Sequence, residues 1–271
     1  FYVMKKFIHL TDLHLSSNES LNKHNNFNSQ KTLKKLIKKI NSINPLPDFI
    51  LISGDLTNSG DIKSYECLKE IISQILPPTF LAIGNHDKRI TFNQVFKNIK
   101  SSKPYFYNHL FEYLNLITLD TSSPGKISGE ISVEQFKFLK KSLSVNKNTP
   151  TLIMMHHPPR FSEKSPNWIS LDYESTKNLQ SILAGHNIQA ILCGHLHINQ
   201  VNFWHNIPVI ISNGLFSTVD FLENDELSIV EGTSFNICSL RENGIGVSII
   251  PISPKGKVLK KLNLKRFKNL K

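Results

Sequence analysis

The octapeptide Asp48-Phe49-Ile50-Leu51-Ile52-Ser53-Gly54-Asp55 sets the expectation for the fold. From Asp48 to Ile52 it reads as a continuous apolar strand, the kind buried in a parallel sheet covered on both sides. It stops at a glycine followed by a carboxylate. The same grammar recurs along the chain. Lys6–Leu10 runs into Thr11-Asp12-Leu13-His14, Phe80–Ile83 into Gly84-Asn85-His86-Asp87, and Asn115–Leu119 into Asp120. Thr151–Met155 runs into His156-His157-Pro158-Pro159, and Ile188–Leu192 into Gly194-His195-Leu196-His197.

Helical periodicity fills the gaps between these strands. Leu33, Leu36, Ile37 and Ile40 recur at i, i+3, i+4 and i+7, with Lys34, Lys35, Lys38 and Lys39 on the opposite side. This predicts an amphipathic helix with its Lys stripe in water, ended by Pro45 and Pro47. Ser64–Ile75, Val133–Leu143 and Ser175–Ala184 read as further helices, the first closed by Pro77-Pro78 and the last by Gly185. After His197 the chain turns to short strands: Gln200–Trp204, Pro208–Ser212, Ser234–Ser239 and Gly246–Ile250. Alternation first and a β-rich end later predict an α/β layered domain with sheet at its core. Neither a fixed-period repeat nor a Gly/Ser-rich linker is visible. One domain over residues 1–254 is expected, with a basic C-terminal tail over 255–271.

Composition narrows the function classes. Hydrophobic residues at 39% and aromatics at 9% supply a packed core and exclude a disordered chain. No stretch approaches the roughly 18 consecutive apolar residues of a membrane span. Phe1-Tyr2-Val3 precede Met4, and Lys5-Lys6 lead straight into polar-studded sequence, so no secretion signal is read and a cytoplasmic setting is expected. Three widely spaced cysteines (Cys67, Cys193, Cys238) argue against a disulfide scaffold or cysteine zinc site and fit a reducing compartment. The net charge of +11 invites a nucleic-acid reading, but 28 of the 32 basic residues are Lys, and bidentate recognition of phosphates and bases is mostly Arg work. Twenty-seven Asn beside that Lys excess look like a compositional bias as much as a selected surface. Residues 255–271 hold eight basic residues and no acid, which leaves the rest of the chain at +3.

The chemistry is positional. Five of the six strand ends carry metal-capable groups: Asp12/His14, Asp55, Asn85/His86, His156/His157 and His195/His197. Parallel strands set their carboxyl ends along one edge, where ligands bind, so clusters 43, 30, 71 and 39 residues apart would converge. Carboxylate, imidazole and amide donors together suit Mn, Fe or Zn better than Ca or Mg alone. Seven groups exceed the needs of one ion and fit two that share a carboxylate. Asp-x-His and His-x-His pairs leave a strand end on the same side. Glycines before Asp55, Asn85 and His195 permit tight turns there. Two ions roughly 3.5–4 Å apart form the clamp used for in-line phosphoryl displacement.

In order, Asp12-x-His14, Gly54-Asp55, Gly84-Asn85-His86-Asp87, His156 and Gly194-His195-x-His197 resemble the five signature blocks of the calcineurin-like metallophosphoesterases, over about Phe7 to Ser212. The stretches 51–57 (Leu-Ile-Ser-Gly-Asp-Leu-Thr), 155–159 (Met-His-His-Pro-Pro) and 193–197 (Cys-Gly-His-Leu-His) are most similar to class III cyclic nucleotide phosphodiesterases, whose relatives hydrolyse glycerophosphodiesters. Ser128–Ser132 with Gln135 and Leu139 resembles that subfamily's central segment.

The resemblance implies a layered β-sandwich flanked by helices, with a dinuclear metal site at the carboxyl ends of the strands. Asp12, His14 and His197 would hold one metal, Asn85, His156 and His195 the other, and Asp55 would bridge them. The ions would be divalent or mixed-valence, of Fe, Mn or Zn type. A metal-bridging hydroxide would attack the phosphorus of a cyclic nucleotide such as 3′,5′-cyclic AMP or of a related small phosphodiester. His86 is the implied catalytic residue that binds no metal, and His14, Asp55, Asn85, His86 and His197 would contact the substrate. A homodimer is also implied.

Other residues receive plainer readings. His157 reads as a group behind the ligands or a pocket wall, Asp87 as an orienter of local backbone or of His86, and Asp120 as a supporting group or a turn cap. Cys193 reads as a packed thiol. His9, His24, His109, His186 and His205 read as surface or incidental. Phe161, Trp168 and Tyr173 lie in a loop that could stack on a base or be purely structural. The alternatives to a cyclic nucleotide phosphodiesterase are a glycerophosphodiesterase, a DNA or RNA nuclease of the same superfamily, a phosphomonoesterase, and a non-catalytic scaffold. Nucleic acid is the less favoured partner, and a scaffold would be expected to have lost ligands that here are all present.

Overall fold

Side chains alternate across β1 (Lys5–Leu10) and β2 (Phe49–Ser53), so each strand feeds two cores at once. Phe7, Phe49 and Leu51 point one way and Ile8, Leu10, Ile50 and Ile52 the other. The structure is a computed structural model describing residues 5–18, 28–215, 217–220, 226–253 and 258–263. β1 pairs in parallel with β2, and β2 in turn with β3 (Thr79–Ala82). Two antiparallel strands, β12 (Thr233–Arg241) and β13 (Gly244–Ser253), extend the sheet on the β1 side to the order β13-β12-β1-β2-β3.

A second sheet follows the same rule. β5 (Asn115–Thr118), β6 (Thr151–Met154), β7 (Ile188–Cys193) and β9 (Ile207–Ile211) run parallel. Its edges are the antiparallel strands β4 (Tyr107–Leu110) and β8 (Gln200–Trp204). Three helices cover the outer face of the first sheet: α1 (Ser29–Asn41), α2 (Ile62–Ile72) and α3 (Arg89–Lys97). α4 (Val133–Val145) and α5 (Tyr173–Leu183) cover the second. Between the sheets lies a core of Phe7, Phe49, Leu51, Leu116, Leu152, Met154 and Leu192, among others. The result is the α/β layered domain that the strand–helix alternation predicted, in the form of the helix-flanked β-sandwich that the resemblance implied.

Helix starts follow from single side chains. Asn28, Asp61, Ser132 and Asp172 each accept the N-cap bond of their helix, an arrangement worth about 1 kcal/mol apiece. α1 buries Leu33, Leu36, Ile37 and Ile40 and leaves Lys34, Lys35, Lys38 and Lys39 exposed, as its periodicity predicted. α2 starts two residues earlier and stops three earlier than its apolar pattern suggested, because Asp61 caps it and the chain leaves helical geometry after Ser73. The pattern did not signal α3, β4, β10 (Thr218–Asp220), β11 (Glu226–Val230) or β14 (Val258–Asn263). The last three form a small antiparallel sheet of order β10-β11-β14. β14 lies within the basic segment expected as a tail, whose other residues fall outside those described. No described helix is long and apolar enough to cross a membrane. The three cysteines form no disulfide among the described residues.

Candidate metal centre

The loops leaving the parallel strands are laced together by their own backbones. Asp12 N donates to Gly54 O at 3.0 Å, His14 N to Asp55 O at 3.0 Å, and Gly194 N to His156 O at 3.0 Å. The fit is tight. A Cβ on Gly84 would overlap Asp55 Oδ1, and one on Gly194 would overlap Thr11 Oγ1 and Asp12 Oδ2. Asp12, His14, Asp55, His195 and His197 adopt left-handed backbone, with φ of 50°, 42°, 47°, 71° and 52°. Each such non-glycine residue costs on the order of 1–3 kcal/mol, a strain that survives only where its surroundings over-determine it.

The loops bring the predicted side chains together. Ligand atoms of Asp12, His14 and His197 lie within 4.8 Å of one another, as do those of Asp12, Asp55 and His156. Asp55 Oδ2 stands between the two sets, 3.6 Å from His14 Nε2 and 3.3 Å from His156 Nε2. Its other oxygen accepts from His86 N at 2.9 Å. Asp12 Oδ2 accepts from Thr11 Oγ1 at 2.7 Å and His195 N at 3.0 Å.

Hydrogen bonds from behind set the tautomers. His156 Nδ1–H donates to the Ser53 carbonyl at 2.9 Å, turning Nε2 inward, where a proton or a cation can sit. His197 directs Nδ1–H at the Ser217 carbonyl and hydroxyl, both 3.2 Å away, and brings Nε2 to 3.1 Å from Asp12 Oδ1. His195 donates from Nε2 to the Trp168 carbonyl at 2.6 Å, so its bare Nδ1 faces Asn85 Oδ1 at 3.1 Å. Two acceptors confront each other there.

These are the features a metal ion would satisfy. Asp12 Oδ1 and His156 Nε2 are buried with no hydrogen-bond partner, although Asp12 Oδ1 has the Nε2 atoms of His197, His14 and His156 at 3.1, 3.8 and 3.9 Å. Buried polar atoms are rarely left this way. The residues present fit two cations held by nitrogen and oxygen donors.

Electrostatics in the metal-free site agree. Burial opposes charge on Asp12, but neighbouring His197 and His156 hold its carboxyl well below the usual range; Asp55 is likewise held down, chiefly by His156. Burial also opposes charge on His156, yet the Asp55 and Asp12 carboxylates outweigh it and lift its pKa to about 9. Burial, seconded by His156, pushes His195 down to about 4, so its single ring proton stays on Nε2. Protons thus compete for positions that cations would fill.

The neighbours sort clearly. Both nitrogens of buried His157 are engaged, Nδ1 with Thr121 Oγ1 at 2.8 Å and Nε2 with the Ile127 carbonyl at 3.0 Å, so it walls the site and offers no ligand. Asp87 accepts from the backbone of Leu56, Thr57 and Gly84 and from Tyr65 Oη, which locks the two loops bearing Asp55 and Asn85. Asp120 caps its own turn through Ser122 and also binds Arg89. His86 is exposed, with Nδ1–H on the Asn58 carbonyl at 3.0 Å and its ring edge-on to His14.

One expectation needs correction. His9 is neither at the surface nor incidental: it is wholly buried on the inner face of β1, with Nε2 2.8 Å from Ser53 Oγ. The strand's alternation places it beside Phe7, inside the sandwich. His109 and His205 are exposed and His186 half-buried, whereas His24 lies outside the described residues. Phe161 and Tyr173 are exposed, and Trp168 meets the site through its carbonyl. Sequence reasoning missed Thr11, Ser53 and Ser217, and read Trp168 for its ring and not for its carbonyl. Three of the four act through backbone carbonyls, which carry no residue signal.

A family model described as calcineurin-like phosphoesterase matches residues 5–199, well over half the chain. The chain is 30% identical over 218 residues to a probable cyclic nucleotide phosphodiesterase of Rhodococcus erythropolis, covering 79% of this chain and 71% of that one. It is 28% identical over 216 residues to a probable glycerophosphodiester phosphodiesterase of Arcobacter nitrofigilis, covering 75% of this chain and 76% of the relative. Among solved structures, a dimetal phosphatase of Danio rerio superposes with a TM-score of 0.60 at 13% identity, over 92% of this chain and 99% of that one, a likeness of fold.

Proposed function

This chain belongs to the calcineurin-like phosphoesterase family, and we propose that it is a metal-dependent phosphoric diester hydrolase acting on cyclic nucleotides, such as 3′,5′-cyclic AMP, or on related small phosphodiesters. The observation that carries the proposal is Asp55 Oδ2, poised between His14 and His156 at the meeting of two donor sets, with Asp12 Oδ1 and His156 Nε2 buried and unsatisfied beside it. Asp12, His14 and His197 would hold one ion, Asn85, His156 and His195 the other, and Asp55 both. The donor chemistry favours iron, manganese or zinc. When bound, such a pair supplies Lewis acidity to the phosphoryl oxygens and a clamp for in-line displacement.

The chain's own residues do the rest. Carbonyls of Ser53, Ser217 and Trp168 fix the imidazole tautomers, so the site needs little reorganisation when it loads. Thr11 and the His195 amide hold Asp12 to one rotamer. His14, Asp55, Asn85, His86 and His197 border the space a phosphoryl group would enter. His86 is turned by the Asn58 carbonyl so that Nε2 is left for the substrate. In its doubly protonated form it can donate from Nε2 to the alkoxide leaving when the P–O bond breaks. Likeness to the Arcobacter relative supports glycerophosphodiesters as the second substrate class. A cytoplasmic setting belongs to the same reading, supported by cysteines that form no disulfide among the described residues.

The protein loaded with Mn²⁺ should be assayed on 2′,3′- and 3′,5′-cyclic AMP, a glycerophosphodiester, bis-p-nitrophenyl phosphate and single-stranded DNA. Hydrolysis of the small diesters is expected, and light scattering on the same sample reads the homodimer. Turnover of DNA alone would sink the small-diester reading. Silence on every substrate with metal bound would replace the enzyme by a scaffold.

A further inference from the structure

We propose that Arg160 is a positioning residue for His195, acting through the loop it ties together, and so governs how tightly an ion is held by Asn85, His156 and His195. The inference rests on the metal-centre reading above. Residues 161–164, 166 and 167 are exposed, and the loop's own backbone bonds are few: Ser165 N to Ser162 O at 3.0 Å and Ile169 N to Pro166 O at 3.4 Å. One side chain gathers it. Arg160 Nη1 donates to Asn167 Oδ1 at 2.8 Å, and Nη2 donates to the carbonyls of Glu163, at 2.8 Å, and Ser165. The Arg160 amide donates to Thr176 Oγ1 at 3.1 Å, anchoring the assembly on α5.

The next residue after Asn167 is Trp168, whose carbonyl takes the Nε2 proton of His195 at 2.6 Å. That bond matters because the other tautomer has an attractive alternative. A proton on Nδ1 would donate to Asn85 Oδ1 across the same 3.1 Å, and two donors meant for a cation would satisfy each other. The Trp168 carbonyl excludes this self-closed arrangement by claiming the proton on the far side of the ring. The Arg160 fork holds that carbonyl in place. A lysine, with one ammonium on a flexible stem, cannot span the same three acceptors.

The test compares wild type with Arg160→Ala, Arg160→Lys and Asn167→Ala, all metal-free. Calorimetric titration with Mn²⁺, histidine ¹⁵N shifts and thermal unfolding are read in parallel. Wild type should show two binding steps and a bare Nδ1 on His195. Both Arg160 variants should weaken one step by about 10- to 100-fold, leave the other unchanged, and populate the Nδ1–H tautomer. Asn167→Ala should shift the same step by less, and it decides the matter if Arg160→Ala does not fold. Unchanged affinities and tautomer in the variants would overturn the inference, and so would equal weakening of both steps with a lower metal-free Tm. A wild-type protein that binds no Mn²⁺ would overturn the metal-centre reading instead, so the two failures are distinguishable.

Discussion

Arg89 and Asp120 clasp α3, which covers the first sheet, to the turn that follows β5 in the second. Arg89 Nε donates to Asp120 Oδ2 at 2.8 Å and a terminal nitrogen donates to the Ser122 carbonyl at 2.6 Å. Arg89 opens α3, three residues after His86, whereas Asp120 stands two residues past the end of β5 in the other sheet. Asp120 is fully buried and is further held by Gln135, which brackets its backbone with two bonds of 2.8 Å. Removing one partner of a buried pair strands the other's charge. Arg89→Ala is therefore expected to cost about 3 kcal/mol, discounted for the partial exposure of the guanidinium. A urea denaturation midpoint equal to wild type would show that the clasp contributes nothing.

Gly84→Ala should be among the most damaging conservative changes. A Cβ at this position would overlap Asp55 Oδ1 and stand 2.6 Å from Asp55 N and 2.8 Å from the His156 ring. Something must shift, and what stands there is the candidate metal site. A displacement near 1 Å at reacting groups costs on the order of 100-fold in rate. Gly246→Ala, where the atoms nearest a Cβ are those of the Arg241 guanidinium at 3.7 Å, is the control and should be close to wild type. Comparable kcat/KM values for the two variants would contradict the geometry.

That contrast bears on how much was legible in the sequence. The strands carrying Asp12, Asp55, Asn85, His156 and His195 could be read because parallel strands buried on both faces are continuous apolar runs. Their ends could be read because Asp, Asn and His are chemically distinctive. α3 stayed hidden because its apolar stripe, Phe92, Val95 and Phe96, covers little more than one turn of a nine-residue helix and no side chain caps its start. β4 stayed hidden because it is an edge strand with little burial. His9 was misread because one buried polar residue in an alternating strand looks like any surface histidine. The left-handed backbone at Asp12, His14, Asp55, His195 and His197 had no local signal, since none is a glycine; tertiary contacts impose it.

His9 gives the pH prediction. Burial pushes its pKa down to about 3, so the folded protein keeps the ring neutral. In the unfolded chain it titrates near its ordinary value of about 6.5. Between those values the unfolded state binds the extra proton, so acidification favours unfolding. The penalty is absent above about 6.5 and grows by about 1.4 kcal/mol per pH unit down to about 3. His9→Asn should flatten the fall of metal-free stability with acid by one proton's worth, read from urea midpoints between pH 7 and 5. An unchanged slope would mean that His9 charges in the folded state.

His86 should separate leaving groups. It is exposed and outside the proposed metal-ligand set, so His86→Ala should leave the Tm and the two-step Mn²⁺ titration near wild type. An alkoxide leaving from a cyclic nucleotide or glycerophosphodiester needs a proton as the P–O bond breaks, whereas p-nitrophenolate departs with little help. General acid catalysis contributes about 10²- to 10⁴-fold where a proton is required. The variant should therefore lose that much kcat on alkoxide diesters and far less on bis-p-nitrophenyl phosphate. Equal losses on both would leave His86 a charge-stabilising contact to the phosphoryl oxygens and remove its role as proton donor.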